Sequence, residues 1–443
     1  MNQNPLRSVA RTAIPAIAFT TILLPTLSSD GLRCQEMVAV KAGTIHTISG
    51  PTMTDAVVLI ENGRIKAIGK QDAIEIPWSA KVIDASDKVV MPTWVLAHTD
   101  GGMRGSNESM QNVPWLTVAD AIDPSSTFFE NMLRNGVGTL HVLPGNRTLL
   151  GGTGMVLRPA GRTIEDMTVA ANTGMKMSLQ AGRGSRLQQI REMRRAIADI
   201  REYLSDFERQ KAEFEKEKAA GAVEDDKKWD KEIDRKKKAA VDLIQKKLKG
   251  WLYVPSFAEL DEALRMSKDL DLQMVLGTNL DEAASLLSRL KTPVVLSPTL
   301  EYYETDEDTD EEELFCTAKM LADAGVPFAL SLASGGPTSY PWWQLGTCVR
   351  HGIPQSEALK ALTMVPAKLI GLDEQVGSLE VGKLGNLQVL TGDPMQATSW
   401  VETVVLEGEV VYERSEDPRL QYLFAAAAES AKPQEPKPAE EGR

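Results

Sequence analysis

Met91-Pro92-Thr93-Trp94-Val95-Leu96-Ala97-His98-Thr99-Asp100 is an apolar run that ends in two polar side chains two positions apart. On a strand, residues at i and i+2 point to the same side, toward a common ion. A hydrolytic metal site would place His-x-His there, and this chain has His98-Thr99-Asp100 instead. His98 and Asp100 are therefore candidate metal ligands at the end of a strand, with a carboxylate in the second position.

Working outward, Val57-Val58-Leu59-Ile60-Glu61-Asn62-Gly63-Arg64-Ile65-Lys66-Ala67-Ile68-Gly69 predicts two strands joined by an Asn-Gly turn. Far downstream, Ala361-Leu362-Thr363-Met364-Val365-Pro366-Ala367-Lys368-Leu369-Ile370-Gly371-Leu372 leads into Val376-Gly377-Ser378-Leu379-Glu380-Val381-Gly382-Lys383-Leu384-Gly385-Asn386-Leu387. Together these stretches resemble the amidohydrolase superfamily, especially its imidazolonepropionase-like members, over residues 37–415. The resemblance implies a TIM-type (β/α)8 barrel over 91–380 and a small accessory β-sandwich built from 37–90 and 381–415. It also implies metal-dependent hydrolysis of C–N bonds in amides and cyclic amides. A divalent metal, zinc first, would acidify a bound water.

The segment between the ends supports an α/β architecture on its own pattern. Strand-like runs at 137–143, 293–297 and 328–332 alternate with helical patterns at 259–270 and 281–290, which predicts a parallel sheet. Residues 184–249 depart from this alternation. Leu187, Ile190, Met193, Ile197, Ile200, Leu204 and Phe207 recur at spacings of three and four, one apolar stripe on a long helix. Gly221 and Glu224-Asp225-Asp226 break it before a Lys-rich second helix over 227–249, so an antiparallel helical hairpin is predicted. The acidic run at 301–313 is predicted to be a solvated loop, and residues 425–443 a disordered tail.

The bulk numbers set limits on partners. With 443 residues and 42% apolar content the chain can enclose one large core. A net charge of -13 and a pI near 5.1 argue against a nucleic-acid partner. Arg7 and Arg11 precede an apolar run at 13–27, the pattern of a signal peptide, here placed at 1–36. Export to the periplasm or beyond the cell is expected, with an uncleaved anchor as the alternative and no other membrane contact. The three cysteines, Cys34, Cys316 and Cys348, lack metal-binding spacing and read as buried thiols, a Cys316–Cys348 bridge being the alternative.

The resemblance also implies a ligand set, which is followed residue by residue. His98 matches the first histidine and Asp100 stands in for the second. Lys176, in Gly174-Met175-Lys176-Met177, falls where a fourth-strand lysine is expected, bridging metals only when carboxylated. Leu252-Tyr253-Val254-Pro255-Ser256 holds no fifth-strand histidine, Thr278 follows the sixth strand, and Ala333 takes the place of the catalytic aspartate. Only four histidines exist, His46, His98, His141 and His351. Of these His141 is the remaining candidate for the pocket, beside Asn146 in the Pro144-Gly145-Asn146 turn and the Gly-rich stretch to Gly154.

Three readings stay open on these residues. The first is a degenerate amidohydrolase serving in binding or assembly, with a small-molecule ligand or as a homo-oligomer. A second is an active hydrolase on a reduced site of His98, Asp100 and His141 or Lys176. In the third, the chain is an interaction protein acting through its helical insertion.

Overall fold

The computed structural model describes residues 37–180, 185–222, 224, 226–278, 284–305 and 309–430. The expected signal peptide, Cys34 and the tail beyond 430 lie outside the described residues. The chain opens with β1 (Met37–Ile45), β2 (Met53–Glu61), β3 (Arg64–Lys70) and β4 (Lys81–Pro92). Asn62 and Gly63 both take positive φ, 49° and 78°, so β2 and β3 are joined by the two-residue turn that the Asn-Gly pair predicts.

Only Thr93 separates β4 from β5 (Trp94–Thr99), so the accessory sheet feeds straight into the barrel. The barrel continues with β6 (Val137–Val142), β7 (Leu150–Leu157), β8 (Thr168–Ser178), β9 (Gly250–Val254), β10 (Leu272–Leu276) and β11 (Val294–Leu296). A two-stranded excursion, β12 (Glu301–Thr305) and β13 (Glu312–Cys316), precedes the short β14 (Phe328–Ala329). Side by side the eight barrel strands run β5-β6-β7-β8-β9-β10-β11-β14. The two edges are bridged by one corner of chain. Leu330 N donates to Ala361 O at 2.8 Å and Val95 N donates to Leu362 O at 2.9 Å, which nearly closes the barrel. The downstream motif at 361–372 therefore sits at the barrel seam.

The expected all-parallel sheet is corrected at one strand. β7 runs antiparallel to both β6 and β8. The seven residues between β6 and β7 are too few for the crossover that a parallel neighbour requires. Gly151, Gly152 and Gly154, expected to shape a loop, lie inside β7. A Cβ on Gly152 would stand 2.6 Å from Leu116 O, and one on Gly154 2.7 Å from Val142 O.

β15 (Leu387–Leu390), β16 (Val401–Leu406) and β17 (Glu409–Glu413) return to the accessory domain. It is one seven-stranded sheet in the order β17-β16-β15-β4-β1-β2-β3, where a sandwich was expected. Its core gathers Val40, Val58, Ile60, Val90 and Val405, all fully buried. A separate, larger cluster packs the barrel strands against their helices.

The insertion differs from the expected hairpin in its second arm. A helix over Arg186–Ala219 forms as the stripe predicts, capped by Ser185, whose Oγ accepts from Gln188 N at 3.3 Å. Its buried face carries Met193, Ala196 and Leu204, and Arg194 pairs with Glu262 on the helix Phe257–Met266. In the return, among the described residues, only Lys238–Ile244 is helical. Trp229 contacts Phe207 and Phe214 with ring centroids 5.8 and 5.7 Å apart, and Asp234 N donates to Tyr203 Oη at 2.9 Å. These contacts hold the return arm along the long helix in a non-helical path.

Two further expectations are corrected. The acidic stretch contains the β12–β13 hairpin, in which Tyr302 and Phe315 pair across the strands and stack at 5.7 Å. Glu301 anchors it by accepting from His351 Nε2 at 2.5 Å and from Arg350. The disordered tail expected from 425 is corrected over 425–430, which belong to the helix Pro418–Ser430. Cys316 and Cys348 are both free and buried. Among the described residues no helix is long and apolar enough to cross a membrane.

Candidate functional site

β5 and β8 bring His98 and Lys176 together from 78 positions apart. Lys176 is fully buried, and its Nζ lies 2.6 Å from His98 Nε2. Burial, then the neighbouring Lys176 and His141, hold the His98 pKa well below its usual value, so the ring is neutral. A neutral imidazole with its proton on Nδ1 accepts from the amine through Nε2. Burial lowers Lys176 to about 7, with Asp100 pulling in the opposite direction. Tyr253 on β9 adds its ring face, 5.8 Å from the Lys176 Nζ. Nothing in Gly250-Trp251-Leu252-Tyr253-Val254, an apolar run throughout, marks Tyr253 as a neighbour of Lys176 in the sequence.

Asp100 makes no hydrogen bond or ion pair with His98 or Lys176 among the described residues, although its charge acts on Lys176. β5 ends at Thr99, whose Oγ1 accepts from Gly101 N at 3.1 Å, and the chain turns away through Gly102 at φ 79°. Asp100 is left exposed, so the i, i+2 geometry expected of a strand is lost one residue too early.

His141 is a core residue and not a pocket ligand. Its Nδ1–H donates to Ala97 O at 2.9 Å, and its Nε2 accepts from the Thr173 hydroxyl at 2.8 Å. Trp251 packs edge-on against the ring, centroids 4.5 Å apart. Burial drives the His141 pKa to about 3, against the Ala97 hydrogen bond that raises it. With both nitrogens engaged, no lone pair remains for an ion. Asn146 is tied by its backbone, Ser178 Oγ donating to Asn146 O at 2.5 Å, while its side-chain Oδ1 is buried without a partner.

The other expected positions offer no replacement ligands. Ser256 donates to Glu259 Oε2 at 2.6 Å at the start of the helix Phe257–Met266. Ala333, the residue that the resemblance sets in the base's place, has only a methyl side chain, and its N donates to Thr338 O at 3.1 Å. Among the described residues no group of three His, Cys, Asp or Glu side chains is placed to hold a metal. One imidazole, blocked by an amine, does not fit a divalent ion that needs three or four ligands. The donor set and the metal disagree.

Residues 89–411 match the model of the amidohydrolase family. The chain belongs to this family. Amidohydrolases are typically metal-dependent, which makes the donor set of this member the point of interest. Over 145 residues the chain is 28% identical to an imidazolonepropionase of Clostridium tetani (strain Massachusetts / E88), covering 30% of this chain and 33% of that one. Over 67 residues it is 40% identical to a 5-methylthioadenosine/S-adenosylhomocysteine deaminase of Nitratidesulfovibrio vulgaris (strain DP4), 14% of this chain and 15% of the relative. The matched stretch thus spans a third or less of these relatives. In structure it resembles an amidohydrolase from Thermotoga maritima MSB8, with a TM-score of 0.73 at 24% identity over 85% of this chain and 100% of that one. That likeness shows the TIM-like barrel fold.

Proposed function

We propose that this chain is an exported member of the amidohydrolase family that has lost metal-dependent hydrolysis of C–N bonds and serves in binding. The observation that carries this reading is the 2.6 Å contact between Lys176 Nζ and His98 Nε2. It engages the nitrogen that a metal would need and sets an amine, partly protonated near neutral pH, where the ion would sit. Ala333 supplies no carboxylate to take a proton from water. Fold likeness to working relatives does not restore an activity when the site is missing.

The testing experiment offers purified protein cyclic amides and adenosine-type amines, with and without added zinc or manganese. No metal-dependent turnover is expected. Turnover that needs metal and vanishes in His98→Ala would establish the reduced-site hydrolase instead. Fractionation of producing cells tests export: the protein is expected outside the cytoplasm, and a cytoplasmic product would remove that part of the proposal. The insertion-module reading is weakened by Met193, Ala196 and Leu204, which are buried within the chain's own fold.

A further inference from the structure

A cavity of about 600 Å³ lies away from the His98–Lys176 pair. Its lining includes Trp94, the first residue of β5, while His98 stands four residues on, about 13 Å along a strand. The helix Thr127–Arg134 supplies one wall and the helix Pro418–Ser430 another. Residues 334–340 and the start of the helix Pro341–Arg350 form a third side, held by Asn135 Nδ2 donating to Ser339 O at 3.0 Å. None of His98, Lys176, His141 and Tyr253 lines it.

The walls are mainly apolar and aromatic, with Phe128, Trp342 and Trp400 among them. Two guanidinium groups, Arg414 and Arg419, also line the cavity, and neither has a carboxylate partner among the described residues. Arg414 lies over the Trp400 ring at 4.6 Å, so its charge is held in place while its side-chain N–H donors have no hydrogen-bond partner among the described residues. No carboxylate is among the lining residues, and Asp417 beside them is already committed, accepting from Arg134 Nε at 2.5 Å and from Tyr412 Oη at 3.2 Å. A third lining cation, Arg134, is thereby neutralised, and the net charge left at the cavity is positive.

Volume, apolar walls and a few convergent polar groups are the properties of a small-molecule site. We propose that this cavity binds a small apolar carboxylate, its hydrocarbon part against Trp342 and Trp400 and its anion on Arg414 and Arg419. A planar guanidinium matches a carboxylate in a two-pronged hydrogen bond. The proposal does not depend on whether the His98 end of the barrel hydrolyses anything.

The test titrates the full chain with 2-naphthoate and with 2-naphthamide, its uncharged counterpart, by calorimetry and tryptophan fluorescence. Saturable binding of the carboxylate is expected, about tenfold or more tighter than the amide, or about 1.4 kcal/mol. Arg414→Gln and Arg419→Gln should each reduce that preference, and Trp400→Leu should weaken both probes. The arginines reach the surface, so these variants are expected to melt with wild type, and Arg414→Lys should restore part of the preference. Equal affinity for the two probes, or a preference that survives in the double glutamine variant, would overturn the proposal. So would loss of binding in Lys176→Met, which would move the probe to the barrel mouth. Exclusion of the probe from a dimeric protein would assign the cavity to a second copy. A rise in affinity on truncation after Ser430 would assign it to the chain's own segment 431–443 and overturn the proposal.

Discussion

Lys176 Nζ sits 2.6 Å from His98 Nε2, so a lysine and a histidine from β8 and β5 satisfy each other where a metal site would need free donors. The arrangement is costly for charge. A buried amine with no carboxylate in contact favours its neutral form, and the half-buried imidazole beside it does the same.

Lys176 titrates near 7 in the folded chain and near 10.5 when unfolded. Between those values the unfolded chain holds the extra proton, so stability rises with pH across the window, by up to about 1.4 kcal/mol per pH unit. Below pH 7 both forms are protonated and this contribution is flat. Urea unfolding of Lys176→Met is expected to show a shallower rise between about pH 7 and 10 than wild type. Parallel profiles would mean that Lys176 is not buried as described.

His141 produces the opposite end of the profile. Its folded value of about 3 lies below the usual 6.5, so as pH falls through that window the unfolded chain gains a proton that the folded chain refuses. Stability is therefore present above 6.5 and falls toward 3. His141→Gln, which keeps a donor for Ala97 O, is expected to lose less stability than wild type between about pH 6.5 and 4.5. An unchanged acid slope would count against a neutral, doubly bonded ring.

Gly152 and Gly346 make a paired test of packing. A Cβ on Gly152 would meet backbone, Leu116 O at 2.6 Å, whereas nothing lies within 4 Å of one on Gly346. Gly152→Ala should destabilise by about 1–3 kcal/mol. Gly346→Ala, inside the helix Pro341–Arg350, should stabilise by about 0.5–1 kcal/mol. Denaturant midpoints decide, and equal effects at the two sites would contradict the position of β7.

Trp229 tests the return arm of the insertion. Each of its contacts with Phe207 and Phe214 is worth about 0.5–1.5 kcal/mol beyond area burial. Trp229→Ala is expected to speed tryptic cleavage in 222–237 while the global melting temperature moves little. Cleavage at the wild-type rate would show that the arm is held elsewhere.

Much of this fold was legible because it rests on local signals. Asn62-Gly63 dictates its turn, and the stripe from Ile190 to Leu204 dictates its helix. What was missed depends on distant partners. The glycines of β7 carry no alternation of apolar and polar side chains, so they resembled a loop. The return arm is rich in lysine and reads as a helix until Tyr203, Phe207 and Phe214 capture it. In the acidic hairpin, the carboxylates hide the pairing of Tyr302 with Phe315. At the candidate site, the structure brings together His98 and Lys176, two of the residues that the sequence singles out. The sequence could not place the amine on the imidazole, end β5 one residue before Asp100, or turn His141 toward Ala97 and Thr173, because each depends on backbone course.

The most direct test of the central claim is the metal content of the purified chain after incubation with zinc, manganese or iron and removal of free ion. Substoichiometric metal is expected, with no difference between wild type and His98→Ala. One tightly held ion per chain, lost in His98→Ala, would contradict the account.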